Sequence, residues 1–370
     1  MKLRDPYDPQ VHFSSHMLRK RRNILTLMTW FLASMVLVVS CSNPASQIPT
    51  TTGTSPGTEA PPQGSNTVSL GFSAWPGWFP WQVAQDAQIF QQTQANVDLK
   101  WFDGYLESIS TLTAGQLSAN SQTLNDTIGP IASGADLVIV LTNDNSAGND
   151  QIIVREGINS IADLKGKKVA AEEGVVDHYL LLLGLQQAGL SQKDIEFVPL
   201  ETGQAAAAFV AGQVDAVGVF APFTTQALQR SGSKVLFTSK DFPGAISDHL
   251  VFTRQFVNEH PDQVQAVVDA WFATLDYIKA NEEAALGIMA QRAGVSVAEY
   301  KEYAAGTRIF SLEDNLKALE PGQDNTSLPY SAAKISDFLL ETGLISTKPD
   351  LSQLFDDRFL KAHAAKAKQS

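Results

Sequence analysis

Phe209-Val210-Ala211-Gly212-Gln213-Val214 leads, after Asp215, into the short apolar run Ala216-Val217-Gly218-Val219. A glycine that closes a helical pattern just before a β-branched run marks an αβ unit, because glycine takes the left-handed helix cap without strain. The same phrase occurs earlier as Leu112-Thr113-Ala114-Gly115-Gln116-Leu117, followed by Ser118 and Ala119. As a repeat it implies two similar lobes; as coincidence it still marks two αβ units. Outward from these, short β-branched runs alternate with helical patterns, which predicts an α/β fold with parallel strands. Strands are expected over 68–73, 97–102, 137–141, 151–155, 168–171, 196–199, 216–219, 234–237 and 250–253. Helices are expected over 80–92, 106–114, 178–188, 205–211 and 224–229. Beyond Pro261 the pattern is helical almost throughout, with apolar spacing at 264–280 and 332–342.

The 370 residues, 44% of them hydrophobic, are enough for one large core or two ordinary ones. Net charge is −12, unevenly spread: the first forty residues hold six Lys/Arg against two Asp, so the remainder is at −16. An acidic body repels nucleic acid and anionic headgroups, so no nucleic-acid partner is expected. At the start, Arg19, Lys20, Arg21 and Arg22 precede an apolar run over 24–39, then Ser40 and Cys41. Basic, apolar and small-residue regions in that order predict a secretory signal over 1–40. Sixteen residues fall short of the about 20 that span a bilayer. The alternative is an uncleaved signal anchor. Residues 42–66 are rich in Pro, Thr, Ser and Gly and hold almost no large apolar side chain, so 41–66 is expected to be a flexible tether.

Val38-Val39-Ser40-Cys41 resembles the lipobox of bacterial lipoproteins, which makes Cys41 the expected lipidation site. It is the only cysteine in the chain, so no disulfide is expected. The body resembles the periplasmic solute-binding proteins of the nitrate, sulfonate, taurine and thiamine-precursor import family. The resemblance is carried by Ser73-Ala74-Trp75-Pro76-Gly77-Trp78, Ala114-Gly115-Gln116, and Ile161-Ala162-Asp163-Leu164-Lys165-Gly166-Lys167-Lys168-Val169. Glu173-Gly174 ahead of His178-Tyr179-Leu180-Leu181, and Ala211-Gly212-Gln213-Val214-Asp215-Ala216, continue it in the family's order. It implies the two-lobed periplasmic-binding-protein fold of type II, with two crossing strands and C-terminal helices. The crossings would be 151–155 and 250–253, with lobe 1 over 67–155 and 250–370 and lobe 2 over 156–249. It also implies ABC permease and ATPase subunits as partners, and a location on the periplasmic side, held to a membrane by the lipid anchor alone.

In open α/β sheets, ligands sit beyond the carboxyl ends of the strands. Charge in those segments is one-sided. No Lys or Arg occurs over 101–154, 169–192 or 198–229, and Lys240 is the only base in any candidate segment. Asp103, Asp126, Asp144, Asp150, Glu172, Glu173, Asp177, Asp241 and Asp248 all fall there. Oxyanion receptors use Arg, Lys, hydroxyls or free helix-start amides. Where anion-binding relatives are expected to carry Ser or Thr after the glycine, this chain has Val175, Val176 and Asp177. Trp75 and Trp78 suit a cation, which is attracted to an indole face. The expected ligand is therefore a small nitrogen-containing cation, guanidine or a related amidine or amine. Expected ligand-binding residues are Trp75 and Trp78 as walls, Asp103, Asp126 and Asp144 as acceptors, then Asn145, Asp177 and Phe220.

Each has a structural alternative: a Trp-Pro-Gly-Trp loop that plugs a core, helix-capping Asp126 and Asp177, and turns at Asp103-Gly104 and Asn143-Asp144-Asn145-Ser146. Nitrate, an aliphatic sulfonate or taurine, or a thiamine-precursor pyrimidine is the alternative ligand, and a non-transport sensor lipoprotein or an enzyme the alternative class. The chain has no nucleophile elbow, Gly-rich phosphate loop or metal-spaced His cluster, so neither catalysis nor a metal or other cofactor is expected.

Overall fold

Both copies of the Gly-ended phrase fold alike. Helix Thr202–Val210 ends ahead of Gly212, at φ 76°, and the chain enters strand Ala216–Phe220. Helix Tyr105–Thr113 ends ahead of Gly115, at φ 72°, and the chain enters strand Ala119–Thr123. The computed structural model describes residues 65–368; the expected signal, Cys41 and nearly all of the tether lie outside them.

The strands are β1 Val68–Phe72, β2 Val97–Trp101, β3 Ala119–Thr123, β4 Leu137–Ser146, β5 Asp150–Val154, β6 Lys168–Ala171, β7 Glu196–Pro199, β8 Ala216–Phe220, β9 Lys234–Thr238, β10 Ser247–Thr253 and β11 Thr307–Ile309. They form two sheets, ordered β11-β4-β10-β3-β1-β2 and β7-β6-β8-β5-β9. In the first, β2, β1 and β3 are parallel and β10 runs antiparallel to β3. In the second, β7, β6 and β8 are parallel and β5 runs antiparallel to β8. The repeat is one of topology. Each antiparallel strand is formed by chain that has just arrived from the other sheet.

That arrangement corrects two expectations. Residues 151–155 are not a crossing: β5 lies inside the second sheet, between β8 and β9. Residues 250–253 lie within β10, between β3 and β4 of the first sheet. The chain passes between sheets at 147–149, where Gly148 takes φ 130°, and at 239–246. A β-branched run declares a strand but not its neighbours, so the boundaries drawn at such runs are displaced by several residues.

Three strands depart from the hydrophobic pattern. β3 reads Ala-Asn-Ser-Gln-Thr, yet every residue is buried. Its amides bond to each other and to the flanking helices: Asn120 Nδ2 donates to Gln122 Oε1 at 3.0 Å and to Ser108 Oγ at 3.1 Å, and Gln122 Nε2 donates to Thr127 Oγ1 at 3.0 Å. β4 runs on through Asn143 to Ser146, so this segment is strand rather than turn. β11 is a three-residue edge strand among the C-terminal helices.

The expected helix over 80–92 is broken into Pro80–Asp86 and Ile89–Gln92 by Gln88, at φ 58°. Trp81 of the first piece meets Trp271 of helix Pro261–Ala280, ring centroids 4.6 Å apart, and its Nε1 donates to Ser121 Oγ at 2.9 Å. Two such fully buried rings contribute on the order of 2–3 kcal/mol each by area removed from water. They fix the loop that precedes Pro80. No described helix is long and apolar enough to cross a membrane.

Candidate ligand-binding site

The chain leaves β1 through Trp75-Pro76-Gly77-Trp78, a tight turn closed by Trp78 N–H to Trp75 O at 3.0 Å. Gly77 is required there. A Cβ at this position would stand 1.8 Å from Asp144 Oδ2, so the bare backbone lets that carboxylate lie against the turn. Trp75 Nε1 donates to Asp144 Oδ1 at 2.9 Å and locks the indole.

Four rings close a circuit. Centroid distances are 6.4 Å for Trp75–Trp78, 5.3 Å for Trp78–Tyr105, 6.1 Å for Tyr105–Phe220 and 6.4 Å for Phe220–Trp75. Trp75, Trp78 and Tyr105 follow strands of the first sheet, whereas Phe220 ends β8 of the second. Tyr105 is held by the end of β3: its hydroxyl accepts from Thr123 N–H at 2.9 Å. The cage is therefore assembled from both halves.

Carboxylates surround it. Asp144 and Asp248 are cross-strand partners on β4 and β10. Asp150 lies opposite Phe220 on β5. Asp126 stands in the first turn of helix Leu124–Ala132, with Oδ1 accepting from Asn125 Nδ2 at 2.5 Å. All four are buried; Asp150 Oδ2 has no hydrogen-bond partner, Asp126 lies within reach of Tyr105, and the carboxyl groups of Asp144 and Asp248 lie within hydrogen-bonding reach of each other and can share a proton. Desolvation pushes Asp126, Asp144 and Asp150 each up to about 7. Asp248 is driven well above the usual carboxylate range by burial and then by repulsion from Asp144 and Asp150. An unpaired buried carboxylate is costly, so each either holds a proton or waits for a positive partner.

The cavity is lined by Trp75, Trp78, Tyr105, Thr123, Asp150, Val176, Phe220, Ile246 and Asp248 and has space for about one water, about 10 Å³. None of these described residues is Lys, Arg or His.

Trp75, Trp78 and Phe220 thus meet in one cavity, with Asp144 and Asp126 against its walls. The other three expected residues do not join them. Asp103 is exposed and accepts from Trp101 Nε1 at 2.7 Å. Asn145, next to Asp144 on a strand, points to the other face as strand alternation requires, and its amide donates to Ser146 O. Asp177 is buried near the cavity, but both oxygens are occupied by backbone amides, those of Glu172 and His178, each at 3.0 Å. It organises the start of helix Val176–Gln187. Lys240 and Asn145 line a larger groove of about 570 Å³ with Arg308 and Lys317. The bases near the crossings collect on that face.

Tyr105, Thr123, Asp150, Val176, Ile246 and Asp248 complete the cavity and were not among the expected ligand-binding residues. Asp150 and Asp248 stood among the acids of the candidate segments; what was missing was the β10–β4 and β5–β8 register that aims them inward.

Two α/β lobes with a cavity between them and C-terminal helices on the first define a periplasmic binding protein of type II. The chain belongs to the NMT1-like family, which matches residues 61–293, and it is a solute-binding protein of the ABC-importer kind. It is 28% identical over 279 residues to a putative aliphatic sulfonates-binding protein of Escherichia coli K12, covering 73% of this chain and 83% of that one. Its fold is similar to that of the alkanesulfonate-binding protein SsuA from Xanthomonas axonopodis pv. citri bound to MOPS, with a TM-score of 0.67 and 20% identity over 79% of this chain and 99% of that one. The periplasmic nitrate-binding protein NrtA from Synechocystis PCC 6803 is also similar, with a TM-score of 0.65 and 14% identity over 83% and 90% of the two chains. These relatives are binding proteins.

Proposed function

We propose that the protein is a lipid-tethered receptor that captures a small planar cation, guanidinium or a related amidinium or ammonium ion, and delivers it to a permease and its ATPase. One observation carries the ligand class: an aromatic cage ringed by buried, unpaired carboxylates, with no basic side chain lining it. A cation over an aromatic face gains about 0.5–2 kcal/mol per ring. Where they are ionised, the same carboxylates oppose an anion. At an effective dielectric near 20, an ionised carboxylate about 4 Å from a unit negative charge costs about 4 kcal/mol. The sulfonate and nitrate named for the relatives therefore fit this cavity poorly, even though the folds agree.

Capture proceeds by hinge closure. With passages between the sheets at 147–149 and 239–246, the lobes are 65–147 with 246–368, and 148–245. Trp75, Trp78, Tyr105 and Asp248 belong to one, and Phe220, Asp150 and Val176 to the other, so a ligand in the cage joins them. Tyr303 and Thr225 add a latch across the halves, their hydroxyls 2.6 Å apart. The tether and lipid at Cys41 keep the body beside the permease on the outer side of the membrane.

Four heavy atoms at a ceiling of about 1.5 kcal/mol each give about 6 kcal/mol, a Kd on the order of tens of micromolar. Thermal unfolding of the protein in millimolar guanidinium, nitrate and an alkanesulfonate tests the reading. Guanidinium is expected to raise the midpoint by several degrees, the anions to leave it in place. Protection by an anion alone contradicts it.

A further inference from the structure

We infer that, within that cationic reading, the cage takes the unsubstituted guanidinium ion, with Asp248 receiving two parallel N–H groups and Asp150 a third. The inference rests on acceptor count and on room. Asp248 stands on β10, flanked by Thr123 on β3 and Asp144 on β4; both of its oxygens are buried and accept from no N–H or hydroxyl, and its carboxyl lies within hydrogen-bonding reach of that of Asp144. A buried carboxylate with no donor of its own, once the proton it can share with Asp144 has left, matches a forked donor, two N–H groups on adjacent nitrogens of one plane. Asp150 offers one further free oxygen, Oδ2, from the second sheet. An alkylammonium ion has three donors on one nitrogen and cannot present a flat fork, and it leaves its alkyl group to be housed. Guanidinium alone has N–H groups around its whole edge and no substituent, so it can meet acceptors on β10 and β5 together.

The space between the rings holds about one water, so the rings must part for any four-atom ion to enter, and each added methyl group enlarges that demand. The walls are fixed on several sides. Trp75 is held by Asp144, Tyr105 by Thr123, and the turn at Gly77 lies against Asp144. An N-methyl group adds bulk between these fixed walls, although the five N–H groups that remain on the ion still suffice for the three acceptors.

Calorimetric titration of the full-length protein with guanidinium, methylguanidinium, acetamidinium and methylammonium chlorides tests this. Guanidinium is expected to bind tightest, with methylguanidinium roughly 10- to 200-fold weaker, the range for one misplaced methyl group in a fitted pocket. Asp248→Asn, which keeps shape and removes charge, is expected to weaken guanidinium by about tenfold or more; Asp150→Asn serves the same purpose if the first variant does not fold. Methylguanidinium bound as tightly as guanidinium, or wild-type affinity in the folded Asp248→Asn or Asp150→Asn variant, overturns the inference and leaves the cationic reading standing. An alkanesulfonate or nitrate bound with no heat from any of the cations overturns both.

Discussion

A methyl group on Gly77 would sit 1.8 Å from Asp144 Oδ2, so Gly77→Ala forces apart the turn that carries both tryptophans and the carboxylate behind them. The expected outcome is about tenfold or more loss of guanidinium affinity by calorimetry, with a destabilisation of about 1–3 kcal/mol in urea unfolding. Trp78→Ala removes one wall and Asp144→Asn removes a charge, and each is expected to weaken binding by about tenfold or more. Asp103→Asn touches only an exposed side chain on Trp101 and is expected to bind guanidinium as the wild type does. A loss there would mean that the cavity is not the site. At this scale the sequence was informative about kind and silent about aim. Two tryptophans in a post-strand loop and a base-free, acid-rich set of segments pointed to the residue types that line the cavity. Asp103, Asp144 and Asp248 look alike in one dimension, and only register separates the exposed one from the buried pair.

β4 and β10 carry the site's logic at the scale of elements. Asp144 and Asp248 share one face, and their neighbours Asn145 and Ser247 line the groove on the other, where Lys240, Arg308 and Lys317 gather. Strand alternation thus keeps the bases off the face that carries Asp144 and Asp248, while on the groove side Arg308 pairs with Asp314. Asn145→Ala is accordingly expected to leave guanidinium affinity within about twofold of wild type. The strands rich in Val, Ile, Leu and Phe were legible because burial on both faces writes itself as hydrophobicity. β3 was legible only as the strand that should follow the Gly-ended phrase at 112–117, not from its own residues. Its Asn and Gln are buried through hydrogen bonds to one another and to the flanking helices, and a hydropathy pattern cannot report a core made that way. Its extent, and with it the contact of Thr123 that seats Tyr105, was therefore hidden.

Across the whole molecule, the cage makes stability and binding depend on pH. Asp126, Asp144 and Asp150 rise from the ordinary carboxylate value to about 7 in the folded state, so the fold holds their protons more tightly than the unfolded chain does. Their contribution is complete below pH about 4 and is lost as pH climbs to about 7. His249, lowered to about 3, and His178, also lowered, act in the opposite sense, because their buried neutral rings favour the unfolded state as pH falls below the ordinary histidine value. Asp177, Asp248 and Glu172 are raised as well, so the acids outnumber the histidines. Ligand-free protein is therefore expected to lose stability in denaturant between pH 5 and 7, and Asp150→Asn to flatten that slope.

A bound cation reverses the balance by replacing protons on these carboxylates, whereas an anion would require them to be protonated. Calorimetry at pH 6, 7 and 8, in buffers of different ionisation enthalpy, reads this exchange directly. Guanidinium is expected to bind with release of protons and to tighten as pH rises. Silence from guanidinium, alongside an alkanesulfonate or nitrate that binds with proton uptake and weakens as pH rises, would contradict the cationic cage.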